Sequence, residues 1–433
     1  MINEKCSLKN LFECAYLLLL IDQYEDGLWG KSLTTEKKKL YSSFEEVQIS
    51  EKRKRTESIS VTFFVVDAIY TFTQNPKSPA IELAIHCLPK HKDDGGYGSF
   101  GELISAYPIS KYQIMTSCRH TATALLMYLL FQDNVDEKIT KSVKFLIDHA
   151  NKDGGWGVTA DPEKEDSDCL TTAHMLALFT TAEKMGIKDI LPENYSSKLD
   201  HAITDGLKWL KRNNEQNDGF WVFYDESMKL QYTAVVLTTF CELKNYDKEL
   251  YEKIIDKMTS LQKEDGGWPL CVDGRSELSS TIWIVNALVS SNSGKYTNRI
   301  ESGIDFIIRN ISKWSYTKNL TPADWAMLLK LSDYKNIHIP YELDDEIQNL
   351  ANTINNKAFK SGNVNFVRKK LPMQYHTLKE PILGILENYC PDIIHRNIIE
   401  KWLDRTPSWQ KWLITAIITL IGLILGILPF FMN

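Results

Sequence analysis

The 433-residue sequence predicts an all-α protein in which about six helix pairs form an inner and an outer ring, followed by one transmembrane helix at the C-terminal end. Three observations predict this architecture. A short phrase of aspartate, glycine and an aromatic residue recurs along the chain, two kinds of helical pattern flank each copy, and residues 412–432 contain no charged residue. Recurrence at a long period is typical of repeat architectures built from helix pairs.

The repeated phrase combines a polar turn with a large aromatic side chain. The intervals between its successive aspartates are 68, 59, 65 and 47 residues, which suits a helix pair with a loop of variable length. A glycine that follows a helical pattern is a common helix C-terminal signal, because it adopts the left-handed conformation without a Cβ clash. The five copies lie at residues 23–29, 91–97, 151–156, 216–221 and 262–268.

Each phrase separates two kinds of predicted helix. The helix before it is amphipathic, whereas the helix after it carries almost no charge on any face, as a helix buried on all sides does. We therefore expect the first kind in an outer ring and the second in an inner ring. A sixth copy without the glycine spans residues 300–331. These patterns predict a ring domain over residues 1–335, a helical extension or cap over 336–405, and a membrane-proximal segment over 406–433.

The uncharged C-terminal run is long enough to cross a bilayer. At 1.5 Å per residue, about 21 residues span roughly 30 Å. Trp409 and Trp412 lie at its start, and Lys411 precedes it, which predicts an interfacial anchor and a cytoplasmic location for the preceding domain. Membrane lipid is thus one expected partner. Gly422 and Gly426 form a G-x-x-x-G motif, which leaves self-association within the membrane open.

The phrase resembles the repeat of squalene-hopene and oxidosqualene cyclases, which reads Gln-x-x-x-Gly-x-Trp. The copies at residues 23–29 and 262–268 match it fully, and the other three match with changes at the glutamine or the aromatic position. Similar helix pairs build the β subunits of protein farnesyl- and geranylgeranyltransferases. The resemblance covers residues 10–335 and implies an α/α toroid.

The catalytic motif of the resembled cyclases is only partly present. Those enzymes start an inner helix with Asp-x-Asp-Asp-Thr-Ala, and the middle aspartate protonates the substrate. The matching segment at residues 168–173 keeps Asp168 but has Leu170 at the donor position and Thr171 in place of the last aspartate. Protonation of an alkene requires a strong or specially held acid. The other inner helices offer Arg119, Gln231 and Ser279 at the donor position.

A metal cofactor is not expected from the sequence. The Asp-x-Cys pair of the zinc-dependent prenyltransferases does not occur, and the eight cysteines include no C-x-x-C pair. The acidic residues between 161 and 168 would suit Mg²⁺ if a substrate phosphate completed its coordination, and they suit a solvated loop equally well. The net charge of -6 argues against nucleic acid as the main partner.

The amino-terminal ends of the inner helices are expected to converge on one mouth of the ring. Unpaired N–H groups make such a mouth attractive to a diphosphate or carboxylate. Helix capping is the alternative role for Ser58, Ser117 and Asp168, and a buried core position is the alternative for His174. The candidate catalytic residues are Asp168, Asp166 and His120, and the candidate ligand-binding residues are Arg119, Gln231, Tyr232, Arg275, Glu277 and Trp283.

Two functions follow from this combination. The first is a membrane-tethered sensor or effector, for example in bacterial defence, that binds an isoprenoid-like or lipid-like molecule or a peptide in its central cavity. The missing acid and zinc ligands favour it. The second is an isoprenoid cyclase or prenyltransferase-like enzyme that uses a divergent acid such as Asp168, or a diphosphate site at Arg119 and His120.

Overall fold

A computed structural model describes the ring domain of the chain. The described residues are 8, 11–12, 15–16, 19, 28–31, 56–57, 59–86, 88, 92–98, 116–131, 135–160, 166–223, 226–311 and 320–338. The chain divides into two compact units, residues 1–379 and 380–433, and every described residue belongs to the first. The structure does not describe residues 339–405 of the predicted cap (336–405), the predicted span at 412–432, or Gly422 and Gly426 within it. Within the described part, no helix is long and apolar enough to cross a membrane.

Helices of two kinds alternate along the described chain. Three antiparallel ribbons of two residues per strand join the end of a repeated phrase to the residues before the next inner helix; they pair Gly30–Lys31 with Thr56–Glu57, Tyr97–Gly98 with Thr116–Ser117, and Trp268–Pro269 with Ser276–Glu277. The helices are α1 Ile59–Thr73, α2 Pro79–His86, α3 Cys118–Leu129, α4 Glu137–Asp148, α5 Cys169–Lys184, α6 Glu193–Gln216, α7 Lys229–Thr239, α8 Leu243–Tyr246, α9 Lys248–Ser260, α10 Leu278–Ser290, α11 Thr297–Asn310 and α12 Pro322–Tyr334; the strands are β1 Gly30–Lys31, β2 Thr56–Glu57, β3 Tyr97–Gly98, β4 Thr116–Ser117, β5 Trp268–Pro269 and β6 Ser276–Glu277.

Six helices form the predicted inner ring. Helices α1, α3, α5, α7, α10 and α12 each contact the next, and α12 packs against α1, so the ring closes. The inner helix α10 is buried over nearly its whole length, whereas the outer helices α4 and α11 bury one apolar face. Because an outer helix returns the chain before each inner helix begins, the inner helices run parallel. Their first residues share one end of the ring, the amino-terminal mouth, and their last residues share the carboxyl-terminal mouth.

The repeated aromatic residue and the repeated threonine bond to one another. The backbone N–H of Trp156 donates to Thr172 Oγ1 at 3.1 Å, and its indole N–H donates to the Leu146 carbonyl of α4 at 2.9 Å. The phrase is thereby fixed to both an outer and an inner helix. In the other four repeats the backbone N–H of the aromatic residue likewise donates to the threonine Oγ1: Trp29 to Thr62, Tyr97 to Thr121, Trp221 to Thr233, and Trp268 to Thr281.

The glycine of the phrase is required by its backbone conformation and by its neighbours. Gly266 has a φ of +87°, and a Cβ atom there would lie 2.3 Å from the carbonyl oxygen of Ser302 on α11. The preceding Asp265 accepts hydrogen bonds from the Gly267 N–H at 3.0 Å and the Ser276 hydroxyl at 2.8 Å. Asp265 and Gly266 therefore form a tight turn, and the missing side chain of the glycine allows α11 to pack closely against it.

Candidate functional site

Asp168 and Arg119 form an ion pair at the amino-terminal mouth. Arg119 Nη2 lies 2.9 Å from Asp168 Oδ1, with the two side chains 11% and 14% exposed. Asp168 is also the N-cap of α5, where it accepts the Thr171 N–H at 2.8 Å and the Thr171 hydroxyl at 2.6 Å. The structure thus gives Asp168 a capping role and a charged partner at the same time.

The guanidinium of Arg119 is held from three sides. Its Nε donates to Thr171 Oγ1 at 2.9 Å, and its Cζ lies 4.6 Å from the centre of the Phe223 ring, a cation–π distance. Together with Asp168, these contacts fix the side chain between α3, α5 and the loop before α7. Proton donation by Asp168 to a ligand would require this arrangement to change, because an ionised carboxylate has no proton to give.

The other two candidate catalytic residues, Asp166 and His120, lie near this pair in sequence. Asp166 is exposed, and His120 is half-buried in the first turn of α3, where its backbone N–H donates to the N-cap hydroxyl of Ser117 at 3.3 Å. Within the described residues, no group of three or more acidic, histidine or cysteine side chains is arranged to hold a metal ion. Asp161, Glu163 and Glu165, which belong to the acidic run, lie outside those residues.

Trp283 directly, and Gln231 through Ser279, connect to the buried carboxylate of Asp324, which was not among the candidates from the sequence. Gln231 Nε2 donates to Ser279 Oγ at 2.8 Å, Ser279 donates to Asp324 Oδ1 at 2.6 Å, and the Trp283 indole donates to the same oxygen at 2.8 Å. Asp324 is 3% exposed, and its other oxygen accepts the Thr321 N–H and hydroxyl, each at 2.7 Å. The spacing of Thr321 and Asp324 is a capping-box signal, so the residue was recognisable as a cap.

The three remaining candidate ligand-binding residues lie toward the solvent side of the same mouth. Tyr232 donates its hydroxyl to Met228 Sδ at 3.5 Å and packs its ring on Phe223. Arg275 and Glu277 form an ion pair at 2.9 Å in which the arginine side chain is 77% exposed. These contacts define positions at the rim, and the ligand-binding role of the residues stays a prediction.

His174 is a neutral buried imidazole on the inner face of α5. It is 2% exposed, its Nδ1 lies 2.6 Å from the Leu170 carbonyl, and its Nε2 has no hydrogen-bond partner among the described residues. Burial, and then the nearby charge of Arg119, lower its pKa to about 3. The rings of Phe63 and Phe64 lie 6.4 and 6.1 Å away, centre to centre. His174 thus occupies a buried core position, which is one of the two alternatives that the sequence left open.

A cavity of about 240 Å³ opens near the carboxyl-terminal ends of α3, α5 and α7. Ala177, Thr181 and Lys184 line it and continue the face of α5 that carries His174, since the steps are three and four residues. His174 therefore lies one helical turn deeper in the ring. The remaining lining residues are Phe63, Phe64, Asp67, Leu126, Leu129, Leu130, Thr238, Thr239, Phe240, Cys241, Glu242 and Lys330.

Four charged side chains stand on the wall of this cavity. Lys330 of α12 contacts Asp67 of α1 at 2.5 Å, and Lys184 contacts Glu242 at 2.9 Å. Burial lowers the pKa of Lys330, but the charge and hydrogen bond of Asp67 outweigh it and raise the pKa overall. None of these four residues was among the candidates from the sequence. Two of them could have been recognised in the sequence, because a charged residue within an apolar run needs a partner when it is buried. Asp67 is the lone acid of α1, and Lys330 interrupts an apolar run of α12.

Two family models match successive parts of the chain. The model of the prenyltransferase α/α toroid domain matches residues 36–194, and that of the squalene-hopene cyclase N-terminal domain matches residues 203–294. No curated protein sequence matches the chain.

Solved structures of low sequence identity share the fold. The type II terpene cyclase MstE from Scytonema is 13% identical, with a TM-score of 0.52 over 76% of this chain and 98% of that chain. A variant of it in complex with its substrate geranylgeranyl dihydroxybenzoate is 13% identical, with a TM-score of 0.51 over 75% of this chain and 95% of that one. The chain spans half of ent-copalyl diphosphate synthase from Streptomyces platensis, at 17% identity over 64% of this chain and a TM-score of 0.45. The closed inner ring and the two matching models show an α/α toroid that is similar to the toroid domains of prenyltransferases and squalene-hopene cyclases.

Proposed function

We propose that this toroid binds an apolar, isoprenoid-like or lipid-like molecule in the cavity near its carboxyl-terminal mouth, and that it acts as a sensor or effector. The observation that carries the proposal is the lining of that cavity by Phe63, Phe64, Leu126 and Phe240. Binding of a ligand to apolar side chains of this kind is favourable, because it removes their surface from water. An enzyme of the same fold binds a geranylgeranyl-bearing substrate, a ligand of the class that we propose.

The volume of the cavity lies between those of two known kinds of apolar site. Its volume of about 240 Å³ exceeds the roughly 150 Å³ that holds benzene in an engineered core and falls below the 300–1,000 Å³ of sites for drug-sized ligands. The hydrogen bonds of Asp168 and Asp324 favour binding over acid catalysis, because both carboxylates are occupied by donors from the protein.

The first test measures binding of geranylgeraniol to the full chain in lipid nanodiscs, with empty nanodiscs as the partition control. We expect saturable binding that Ala177→Phe weakens at least tenfold, because a phenyl ring there fills the cavity. Ala177→Leu is the milder second variant, and Ser197→Phe, on the exposed face of α6, is the matched control. Equal affinity in all four proteins would refute the cavity as the site. Conversion of the alcohol, followed by mass spectrometry, would favour the enzyme instead.

We further propose that residues 412–432 tether the protein to a membrane, with the toroid in the cytoplasm. The uncharged length supports this proposal, as do Trp409 and Lys411 before the segment and Trp412 at its start. The double variant Leu423→Arg/Leu425→Arg is expected to move the protein from the carbonate-resistant membrane fraction to the supernatant, because each central arginine costs about 2.5–3.5 kcal/mol on the insertion scale. Asn433→Arg is the control, since a terminal charge stays in water. Retention of the double variant in the membrane would exclude this segment as the anchor.

A further inference from the structure

The ion pair between Asp67 and Lys330 retains hydrogen-bonding capacity. In the described part of the chain, the lysine ammonium donates to the Asp67 carboxylate alone, which leaves two of its three N–H groups without a protein acceptor. The Asp67 carboxylate likewise has no other side-chain donor there and can accept further hydrogen bonds. The side chain of Lys330 is 27% exposed and that of Asp67 is 18% exposed, and both line the cavity. The pair can therefore bind a ligand group that both accepts a hydrogen bond and donates one.

The charges around this cavity balance. Lys330 and Lys184 are each opposed by a carboxylate, from Asp67 and Glu242, at 2.5 and 2.9 Å. A diphosphate placed beside Lys330 would face Asp67 and Glu242 without a spare cation, and like charges at such distances repel. An uncharged head group meets no such repulsion. This mouth thus differs from the amino-terminal mouth, where the helix ends predicted an anion site.

We propose that Lys330 and Asp67 bind the hydroxyl of a long-chain alcohol, with its apolar tail directed past Phe63 and Phe64 toward His174. The hydroxyl accepts a hydrogen bond from Lys330 and donates one to Asp67, which uses both spare capacities at once. The tail then lies on aromatic and aliphatic side chains of α1, α3 and α5. This inference rests on the proposed function, because it names the head group of the molecule held by the same cavity.

The test compares three ligands that differ only at the head, namely geranylgeraniol, geranylgeranyl diphosphate and the corresponding hydrocarbon without a head group. Each is titrated against the full chain in nanodiscs. We expect the alcohol to bind at least tenfold more tightly than the other two. Lys330→Met is expected to bring the alcohol to the affinity of the hydrocarbon and to leave hydrocarbon binding unchanged. The neutral pair Asp67→Asn/Lys330→Gln, which keeps a hydrogen bond across the two helices, replaces the single variant if that one does not fold, and is expected to retain part of the alcohol preference.

A second readout locates the bound head group without any substitution. Cys241 is a free, half-buried thiol of the cavity, whereas Cys271 is free and exposed outside it. Bound alcohol is expected to slow maleimide labelling of Cys241 at least fivefold and to leave labelling of Cys271 unchanged, as read by peptide mass spectrometry. Equal binding of all three ligands, or alcohol binding without protection of Cys241, would overturn the head-group site and leave the cavity proposal standing. Failure of all three ligands to bind would overturn both.

Discussion

An Asp168→Ala variant is expected to lose about 3 kcal/mol of unfolding free energy, within the range for removal of one partner from a buried ion pair. Two losses combine at this residue. The variant leaves the guanidinium of Arg119, whose side chain is 11% exposed, without its carboxylate, and it removes the N-cap of α5. Chemical denaturation followed by tryptophan fluorescence measures the change.

Two further variants separate the charge from the cap. Asp168→Asn retains an oxygen that can accept the Thr171 N–H at the cap but has no charge, so we expect about half the loss. Asp205→Ala is the matched control, because the pair with Lys208 is 54% and 66% exposed and contributes less than about 1 kcal/mol. Unchanged or increased stability in both Asp168 variants would contradict the structural role. It would revive the catalytic role instead, since catalytic sites often sacrifice stability.

Acid is expected to destabilise the fold through His174. Burial and Arg119 lower the pKa of His174 to about 3, whereas the unfolded chain binds the proton near pH 6.5. Between these values the unfolded state holds one more proton than the folded state, so unfolding becomes easier as the pH falls. The contribution of His174 to stability is complete above about pH 6.5 and decreases by up to about 1.4 kcal/mol per pH unit below it.

Denaturation curves from pH 7 to pH 4 test this dependence in His174→Gln. The glutamine does not titrate, so its unfolding free energy should fall less steeply with acid than that of the unaltered protein. His201→Gln is the control, because His201 is exposed on the outer helix α6. Parallel curves for all three proteins would show that His174 titrates normally and would contradict its lowered pKa.

The helical architecture was predictable because it depends on local periodicity. The amphipathic pattern of α11 and the uniformly apolar pattern of α10 each predict a layer, and the recurrence of Asp265, Gly266 and Trp268 marks the turn between two helices. The predicted inner ring is confirmed in the described part of the chain, including the contact of α12 with α1. The transmembrane helix, the cap and the ligand-binding roles stay predictions.

The site was harder to predict because its residues come from helices that are distant in sequence. Asp67 and Lys330 are separated by 263 positions and meet only when the ring closes. Asp324 was visible as a cap, but its contacts with Ser279 and Trp283 cross from α12 to α10. The candidates from the sequence lie instead at the amino-terminal mouth, because the residues there could be compared with the catalytic motif of the cyclases.

The sequence by itself determined the class of fold, the order of outer and inner helices and the turn chemistry of each repeat, because these follow from propensity and from the spacing of apolar residues. Only the tertiary structure decided which polar groups are partnered. It places Arg119 on Asp168 and Lys330 on Asp67, and it leaves His174 neutral. The physical reason is that burial and partnership, which set the charge and reactivity of a side chain, arise when distant helices are brought into contact.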